Sequence, residues 1–396
     1  MRPLHILHVI TRLIRGGADE NTLISCNAQA EQGHRVTLVY GQEWHQDMLD
    51  KLHPGVEAIP LPSLVRPLSP LDDVKATLAV RSLCRSRRPD IVHTHTSKAG
   101  FIGRAGAWMA GVPVIIHGVH ILPFLNVGAV QRLIYLVAEK MLVPITDAYV
   151  DVSAGMRDEG LRHGLGTPEN HVVVASGMDV ALFRSAPPIA NGEFPELLPA
   201  AVGSWDEAEI VLMAAAFEER KRQPAFIAAF ARVAAARPHA VLLLAGAGPI
   251  QPEIEAAIAA HGLGDRVRII GFRSDIARWM RGASICVLSS EREGLPRVVV
   301  QYVLAGRPVV ATYLPGVEAV VHEGRTGHLV ARVEDMAAPI IALLADDERR
   351  GQFAARASAL DLSAWGADQM AAQLEALYQR AFRQRRRMAA ASSSAA

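Results

Sequence analysis

The chain has 396 residues, 50% of them hydrophobic, and a formal net charge of +1. This length favours two domains over one hydrophobic core, and the near-zero charge excludes a global electrostatic attraction to nucleic acid. No run of 18 uncharged apolar residues occurs, so we expect no membrane span.

The first half alternates buried strands with helices. The opening run LHILHVIT is broken by His, which predicts a first strand rather than a signal peptide. Such alternation is typical of a parallel, doubly wound α/β sheet. The further predicted elements are a helix at 22–32, strands at 35–41, 89–96 and 113–120, a helix at 97–110, and a strand and helix within 148–164.

A segment rich in Pro and Gly at 185–206 interrupts this pattern, after which the alternation restarts. We therefore predict a domain at 1–185, a second at 186–362, a helix at 363–382 and a disordered basic tail at 383–396. In the second domain we expect strands at 209–217, 240–248, 267–272, 283–290 and 308–312, and helices at 223–237, 251–262, 275–282, 297–305 and 317–323.

The three cysteines, Cys26, Cys84 and Cys286, are widely separated and show no metal-ligand spacing. An odd number without such spacing favours a reducing compartment, so we expect a cytoplasmic protein.

Ligands of open parallel sheets bind beyond the carboxyl ends of the strands, so two such domains predict a cleft lined by these loops. Glu293 opens one loop, and Gln301 lies eight residues later in an otherwise apolar run. We expect the carboxylate to hold sugar hydroxyls, the amides of Gly294 and Leu295 to meet phosphate, and Gln301 to meet a ribose.

Two further loops could bind an anion. Arg220, Lys221 and Arg222 precede a helix, where three cations are unfavourable unless they serve an anion such as a diphosphate. Gly16 and Gly17 follow the first strand, where glycines let backbone amides approach a ligand. A solvated charge run and a plain tight turn are nearly equal alternatives for these two loops.

Three other motifs carry less weight. AGAGPIQ (245–251) contains Gly248 but is only half of a dinucleotide fingerprint, so we favour a simple turn. In HTHT we expect the rings of His93 and His95 to face opposite sides of the strand, which disfavours a metal site. His120 lies where a strand gives way to loop, and alone such a histidine is more often structural.

Taken together, these motifs resemble glycosyltransferase family 4, the retaining enzymes of GT-B fold, and within it the capsular and exopolysaccharide enzymes. The resemblance covers about residues 4–380. The matching stretches are ITRLIRGGADENTL, RPDIVHTHTSKAGFIGRAGAWMAGVPVIIHGVHILPF, VDVSAGMRDEGLRHG, SGMDVALF, LLLAGAGP, VRIIGFRSDI and EGLPRVVVQYVLAGRPVVAT.

The resemblance implies roles for individual residues. The family's Glu-x7-Glu element places a Glu on the transferred sugar, here Glu293, and a second on the ribose, where this chain has Gln301. The family's diphosphate-binding Lys matches Lys221, but its Arg falls on Ala216, and Arg220 or Arg222 could replace it.

The cleft histidine of the family matches His120, which would orient a sugar hydroxyl, and its glycine loop matches Gly16 and Gly17. We also place Gly248 and Arg273 among the donor-binding candidates.

The resemblance further implies a metal-independent, retaining transfer from a nucleoside-diphosphate sugar, more often UDP-linked than GDP-linked, to a saccharide or lipid-linked acceptor, with closure of the two domains over the donor. No cofactor and no nucleic acid are expected. The tail arginines could touch the inner membrane from its cytoplasmic face, although a solvated end is slightly preferred.

Two alternatives stay open at this point. Gln301 and Ala216 favour a non-catalytic GT-B subunit that stabilises a partner transferase. A dinucleotide-dependent oxidoreductase is disfavoured because no complete GxGxxG is present.

Overall fold

The structure is a computed structural model that describes residues 2–125, 127–190, 193–198, 202, 204–294 and 296–394. The chain divides into two compact units, one formed by Met1–Met178 with Ser363–Ala396 and the other by Asp179–Leu362. The division lies before the expected boundary at 185/186, because the helix that begins at Val180 packs within the second unit.

The first unit is built on a seven-stranded, all-parallel sheet in the order β3-β2-β1-β4-β5-β6-β7. Its strands are β1 (His5–Leu13), β2 (Arg35–Trp44), β3 (Val56–Pro60), β4 (Ile91–His95), β5 (Val114–Val119), β6 (Ala148–Asp151) and β7 (His171–Val173). Its helices are α1 (Gly17–Glu31), α2 (Gln46–Leu49), α3 (Pro70–Arg87), α4 (Ser97–Ala110), α5 (Ala129–Leu142) and α6 (Ala154–Arg162).

The second unit has a six-stranded parallel sheet in the order β10-β9-β8-β11-β12-β13. Its strands are β8 (Glu209–Ala214), β9 (Ala240–Ala245), β10 (Val267–Gly271), β11 (Ile285–Leu288), β12 (Val309–Thr312) and β13 (Gly327–Val330). Its helices are α7 (Val180–Ser185), α8 (Gln223–Ala236), α9 (Gln251–Ala260), α10 (Ile276–Gly282), α11 (Arg297–Leu304), α12 (Ala337–Ala345) and α13 (Asp347–Ala359).

These two sheets confirm the predicted α/β class with two doubly wound halves. Strands such as β4 and β11 are buried along their whole length, because helices cover both faces of a parallel sheet. The apolar sequence of β11 follows from that double burial, whereas β4 carries the polar residues His93, Thr94 and His95.

The last helix, α14 (Ala367–Ser394), belongs to the first unit. Its buried residues recur at helical spacing and pack on residues of β1, β4, β5 and β6. They are Met370, Leu374, Leu377, Tyr378, Ala381 and Phe382.

The helix α14 continues through the segment expected to be a disordered tail. Arg385 Nε donates to the Pro113 carbonyl and lies 3.1 Å from Asp147 Oδ1, which anchors this part of the helix. The many Ala and Arg residues of the segment are also strong helix formers.

Helix α1 begins at Gly17, inside the glycine loop, rather than at residue 22 as expected. Gly16 has an extended backbone and its carbonyl accepts a hydrogen bond from Glu20 N at 2.9 Å, so it caps the helix. The two glycines therefore lie at a helix N-terminus. None of the described helices combines the length and the apolar character needed to cross a membrane.

Candidate functional site

Two cations converge on one carboxylate in the second unit. Arg220 Nη1 lies 2.7 Å from Glu293 Oε2, and Lys221 Nζ pairs with Glu293 Oε1. Ser290 Oγ donates to the same Oε1 at 3.1 Å. The structure therefore brings together residues predicted from two separate motifs, and we call Arg220, Lys221, Ser290 and Glu293 the Glu293 cluster.

The cluster forms where the loops after β8 and β11 meet. These strands are parallel neighbours, so both loops leave the same edge of the sheet. Ser289 Oγ donates to the Lys221 carbonyl at 2.7 Å, and Glu291 N donates to the Arg220 carbonyl at 2.8 Å. These two hydrogen bonds, one from a side chain and one from the backbone, join the two loops. They hold Arg220 and Lys221 beside the Glu293 carboxylate.

The charge state of Glu293 follows from its neighbours. Burial alone would raise the pKa of this carboxyl, but the charges of Lys221 and Arg220 outweigh it and lower the pKa. The pKa of Arg220 is raised, because Glu293 and Glu218 outweigh the opposing effect of burial. Glu293 is therefore an ionised acceptor of hydrogen bonds at neutral pH and not a proton donor.

The residues after Glu293 lead into α11. Gly294 is buried in the loop and Pro296 stands at the N-cap of the helix. Gln301 is half-buried in the second turn. Leu295, predicted to offer an amide to the donor, lies outside the described residues.

Ala216 occupies the position where the resemblance places an Arg. Its carbonyl accepts a hydrogen bond from Gln223 Nε2 at 2.9 Å. Arg220, not Arg222, supplies a guanidinium at Glu293, since Arg222 is exposed and lies 4.0 Å from Glu291.

Gly248, in the loop after β9, comes close to the backbone that leads to the cations. A Cβ built on Gly248 would meet the Phe217 carbonyl oxygen at 2.3 Å. Only glycine allows this approach, which gives Gly248 a packing reason in the turn that the sequence analysis favoured; its role as a donor-binding candidate stays a prediction.

Arg273 contacts a different set of residues. It makes two 2.9 Å bonds to the Asp275 carboxylate, and its guanidinium lies 4.8 Å from the ring centroid of Trp279 and 5.2 Å from that of Phe194. These contacts give Arg273 a structural role within the second unit.

In the first unit, the glycine loop carries a residue that the sequence analysis missed. A Cβ on Gly16 would meet Asp19 Oδ2 at 2.5 Å. Burial raises the pKa of Asp19 to about 7, against the opposing charge of Arg12. An acidic residue just inside a glycine-capped helix was the available signal.

The expectation for His93 and His95 was wrong. Alternate residues of a strand point to the same face, and the two ring centroids lie 4.3 Å apart. His8, from the neighbouring strand, joins them, with its ring centroid 5.3 Å from that of His93 and 5.1 Å from that of His95.

Ring nitrogens of His8, His93 and His95 lie within 4.8 Å of one another, close enough to share a metal ion. However, His8 Nδ1 and His95 Nε2 are already hydrogen-bonded to each other at 2.8 Å. Two ligands of a tetrahedral zinc ion would be about 3.3 Å apart, given a zinc–nitrogen bond of about 2.0 Å. The observed distance of 2.8 Å between these two nitrogens is that of a hydrogen bond.

His120, half-buried after β5, is connected to this histidine cluster. Its Nε2 lies 3.2 Å from His95 Nδ1. The structure thus links the predicted His120 to buried histidines for which the sequence analysis gave no site role. The available signal was the presence of His8, His93 and His95 on two paired strands.

Comparison with known families gives two matches that together span most of the chain. Residues 16–177 match the family described as "Glycosyl transferase 4-like domain", and residues 208–346 match "Glycosyl transferases group 1". The boundary between the matches falls where the two structural units divide.

Individual proteins agree with these matches. The UDP-Gal:alpha-D-GlcNAc-diphosphoundecaprenol alpha-1,3-galactosyltransferase of Escherichia coli is 26% identical over 72% of this chain and 73% of its own. The putative glycosyltransferase EpsD of Bacillus subtilis is 30% identical over 63% of this chain and 65% of its own.

Solved structures share the fold. HepE of Anabaena, in complex with UDP and glucose, has a TM-score of 0.77 at 20% identity and covers 95% of this chain and 100% of its own. Sucrose-phosphate synthase from Thermosynechococcus elongatus has a TM-score of 0.79 at 21% identity and covers 97% of this chain and 100% of its own.

Proposed function

Because the chain belongs to glycosyltransferase family 4, we propose that it moves a sugar, with retention of configuration, from a UDP-sugar to a saccharide or lipid-linked saccharide acceptor in cell-surface polysaccharide biosynthesis. The observation that carries this proposal is the convergence of Arg220 and Lys221 on Glu293. One relative named above uses a UDP-sugar and an undecaprenol-linked acceptor.

The cluster has the groups that this reaction needs. The leaving diphosphate develops negative charge, which Lys221 and Arg220 stabilise together with the amides at the start of α11. This arrangement lets the transfer proceed without a divalent metal. Glu293 holds hydroxyls of the transferred sugar, because an ionised carboxylate in a partly desolvated site makes strong charge-assisted bonds.

Glu293 does not act as a covalent nucleophile in this proposal. Its two oxygens are engaged by Lys221, Arg220 and Ser290, so it is a positioning group. Retention then arises from attack on the same face that the diphosphate leaves. His120 orients a sugar hydroxyl near the reacting carbon.

The test is a transfer assay with a panel of UDP-sugars and a lipid-linked saccharide acceptor, with the anomeric configuration of the product read by NMR. Glu293→Ala is expected to reduce transfer about a hundredfold or more, since it removes a preorganised charged group. The matched variant Gln301→Glu is expected to keep transfer and to bind UDP as tightly or more tightly. Full activity of Glu293→Ala would show that the site is assigned wrongly.

The same assay separates the second candidate function. A protein that transfers no sugar from any donor, yet activates a partner transferase, would be the non-catalytic subunit that Gln301 and Ala216 favour. An inverted product would contradict the retaining mechanism.

A lipid-linked acceptor requires approach to a membrane, and α5 carries a surface suited to it. Five apolar side chains on this helix are exposed, beside the exposed Phe101 of α4. Arg132 and Lys140 lie on the same helix, and its acidic residue, Glu139, is buried against Arg104. The apolar residues of this α5 surface are Val130, Leu133, Ile134, Val137 and Met141.

An exposed apolar face, on a helix that carries two exposed cations and no exposed acid, fits peripheral binding to an anionic bilayer. We therefore assign the membrane contact to the α5 surface, with the arginines of α14 as a further source of charge. The sequence analysis considered only the tail arginines for such a contact and slightly preferred a solvated end.

Flotation with phosphatidylglycerol vesicles tests this contact. The double variant Leu133→Glu/Ile134→Glu is expected to reduce the bound fraction about tenfold or more, because each buried apolar side chain contributes about 1.5–3 kcal/mol. Leu182→Glu, on an exposed leucine of the second unit, is the matched control and should float like the wild type. Equal flotation of all three proteins would contradict the assignment.

A further inference from the structure

A chain of hydrogen bonds runs through the buried interior of the first unit and ends at His120. Tyr378 Oη contacts Gln29 Nε2 at 3.1 Å, and Gln29 Oε1 contacts His8 Nε2 at 2.7 Å. His8 Nδ1 then contacts His95 Nε2 at 2.8 Å, and His95 Nδ1 contacts His120 Nε2 at 3.2 Å. Four elements, α14, α1, β1 and β4, thus contribute one side chain each.

The interior histidines of this chain are neutral at physiological pH. Burial lowers the pKa of His8 to about 4 and that of His95 well below its ordinary value. A neutral imidazole has one protonated nitrogen, which donates, and one bare nitrogen, which accepts. The tautomer of one ring therefore fixes the tautomer of the next.

The amide of Gln29 sets the direction of the chain. Its Nε2 donates to Tyr378 Oη, so its Oε1 faces His8, and a carbonyl oxygen can only accept. His8 must therefore carry its proton on Nε2 and accept at Nδ1 from His95 Nε2–H. His95 in turn accepts at Nδ1 from His120 Nε2–H.

The other end of the chain agrees with this direction. Tyr378 Oη accepts from Gln29 and is left to donate its own proton to His93 Nδ1 at 2.6 Å. Both hydrogen-bonding capacities of the hydroxyl are then used. A reversed Gln29 amide would reverse every proton in the chain, so the side chain of Gln29 is the single determinant of its polarity.

We propose that Gln29, His8 and His95 are positioning residues that hold His120 as its Nε2–H tautomer, the form in which His120 would meet the sugar hydroxyl of the proposed function. The part that concerns substrate rests on the proposed function. The part that concerns the tautomer is a property of the protein alone.

The experiment is a long-range proton–nitrogen NMR correlation on the full chain labelled with 15N-histidine, without substrate. The His120 signals are assigned by their loss in His120→Asn. The wild type is expected to show His120 protonated at Nε2 and bare at Nδ1. Protonation at Nδ1 would overturn the proposal, and this measurement needs no variant of the buried chain.

Two variants then test whether Gln29 sets the tautomer of His120. Gln29→Met removes the acceptor for His8, so His120 should become a mixture of both tautomers, and kcat should fall about tenfold with little change in the KM for donor. Thr22→Val is the matched control, since it removes a hydroxyl that bonds the Ala18 carbonyl on the same helix but outside the chain, and it should preserve the tautomer. An unchanged tautomer in Gln29→Met would overturn the proposal.

Titration of the wild-type protein with zinc tests whether the buried histidines bind a metal instead. Zinc bound at one ion per chain through His8, His93 and His95 would overturn the proposal, because the metal would take the lone pair of His8 that accepts from His95. If the tautomer is as expected but no sugar is transferred, the positioning stands and the proposed function fails.

Discussion

At the scale of one residue, the buried carboxyl of Asp19 beside the glycine loop lowers the stability of the protein when it ionises. The side chain is buried and its pKa is raised to about 7, whereas an unfolded Asp titrates near 4. Between these pH values the unfolded chain loses a proton that the folded protein keeps. The free energy of unfolding therefore falls as the pH rises from about 4 to about 7.

Asp19→Asn is expected to remove this loss, because the amide has nearly the same shape and does not ionise. The difference in unfolding free energy between the variant and the wild type should be about 2–4 kcal/mol larger, in favour of the variant, at pH 8 than at pH 4. Urea denaturation at the two pH values measures the difference.

The exposed Asp265 is the matched control. Asp265→Asn should shift the unfolding free energy equally at pH 4 and pH 8. If Asp19→Asn behaved in the same way, the pKa of Asp19 would be the same in the folded protein as in the unfolded chain.

At the scale of elements, the loop after β9 supports the loop that carries Lys221. Gly248→Ala would place a Cβ 2.3 Å from the Phe217 carbonyl oxygen, so the backbone must move. This displacement should weaken UDP binding about tenfold or more, since small errors in positioning remove much of the binding at a preorganised site.

Gly264→Ala provides the comparison, because a Cβ there meets no atom within 4 Å. Isothermal titration of both variants with UDP should show a loss only for Gly248→Ala. Equal affinities would show that the loop after β9 does not support the donor site.

Most of the central strands and several of their helices were predicted from the sequence, whereas the helices α2, α3, α5, α7, α12 and α13 and three edge strands were not. Strands such as β9 and β11 are apolar runs bounded by turn residues, so their burial could be predicted. The strands β3, β7 and β13 were missed, because three to five residues at a sheet edge carry little periodicity. The helix expected at 317–323 is a single turn at Val317–Ala319.

The candidate site divides in the same way. Glu293 and Lys221 could be named as candidates, because each lies in a loop that follows a predicted strand, where the ligands of parallel sheets bind. Their contact with each other could not, since it depends on which strands are neighbours. The histidine chain was missed because it joins residues as distant as Gln29 and Tyr378.

At the scale of the whole molecule, the chain crosses from the second unit back to the first to complete its core. Helix α14 contributes Tyr378 to the histidine chain and Glu375 to a 2.7 Å pair with His34. The last helix is therefore part of the chemistry of the first unit and not only a cover for its sheet. The two family matches and the two sheets divide the chain at the same place.

The central claim is that the Glu293 cluster binds the diphosphate of a UDP-sugar without metal. Its most direct test is calorimetric titration of the purified protein with UDP, GDP and ADP in the presence of EDTA, repeated with Lys221→Met. We predict clear binding of UDP, weaker or no binding of GDP and ADP, and a loss of about tenfold or more in UDP affinity in the variant. Absence of binding by every nucleotide, or equal UDP affinity in Lys221→Met, would contradict the claim.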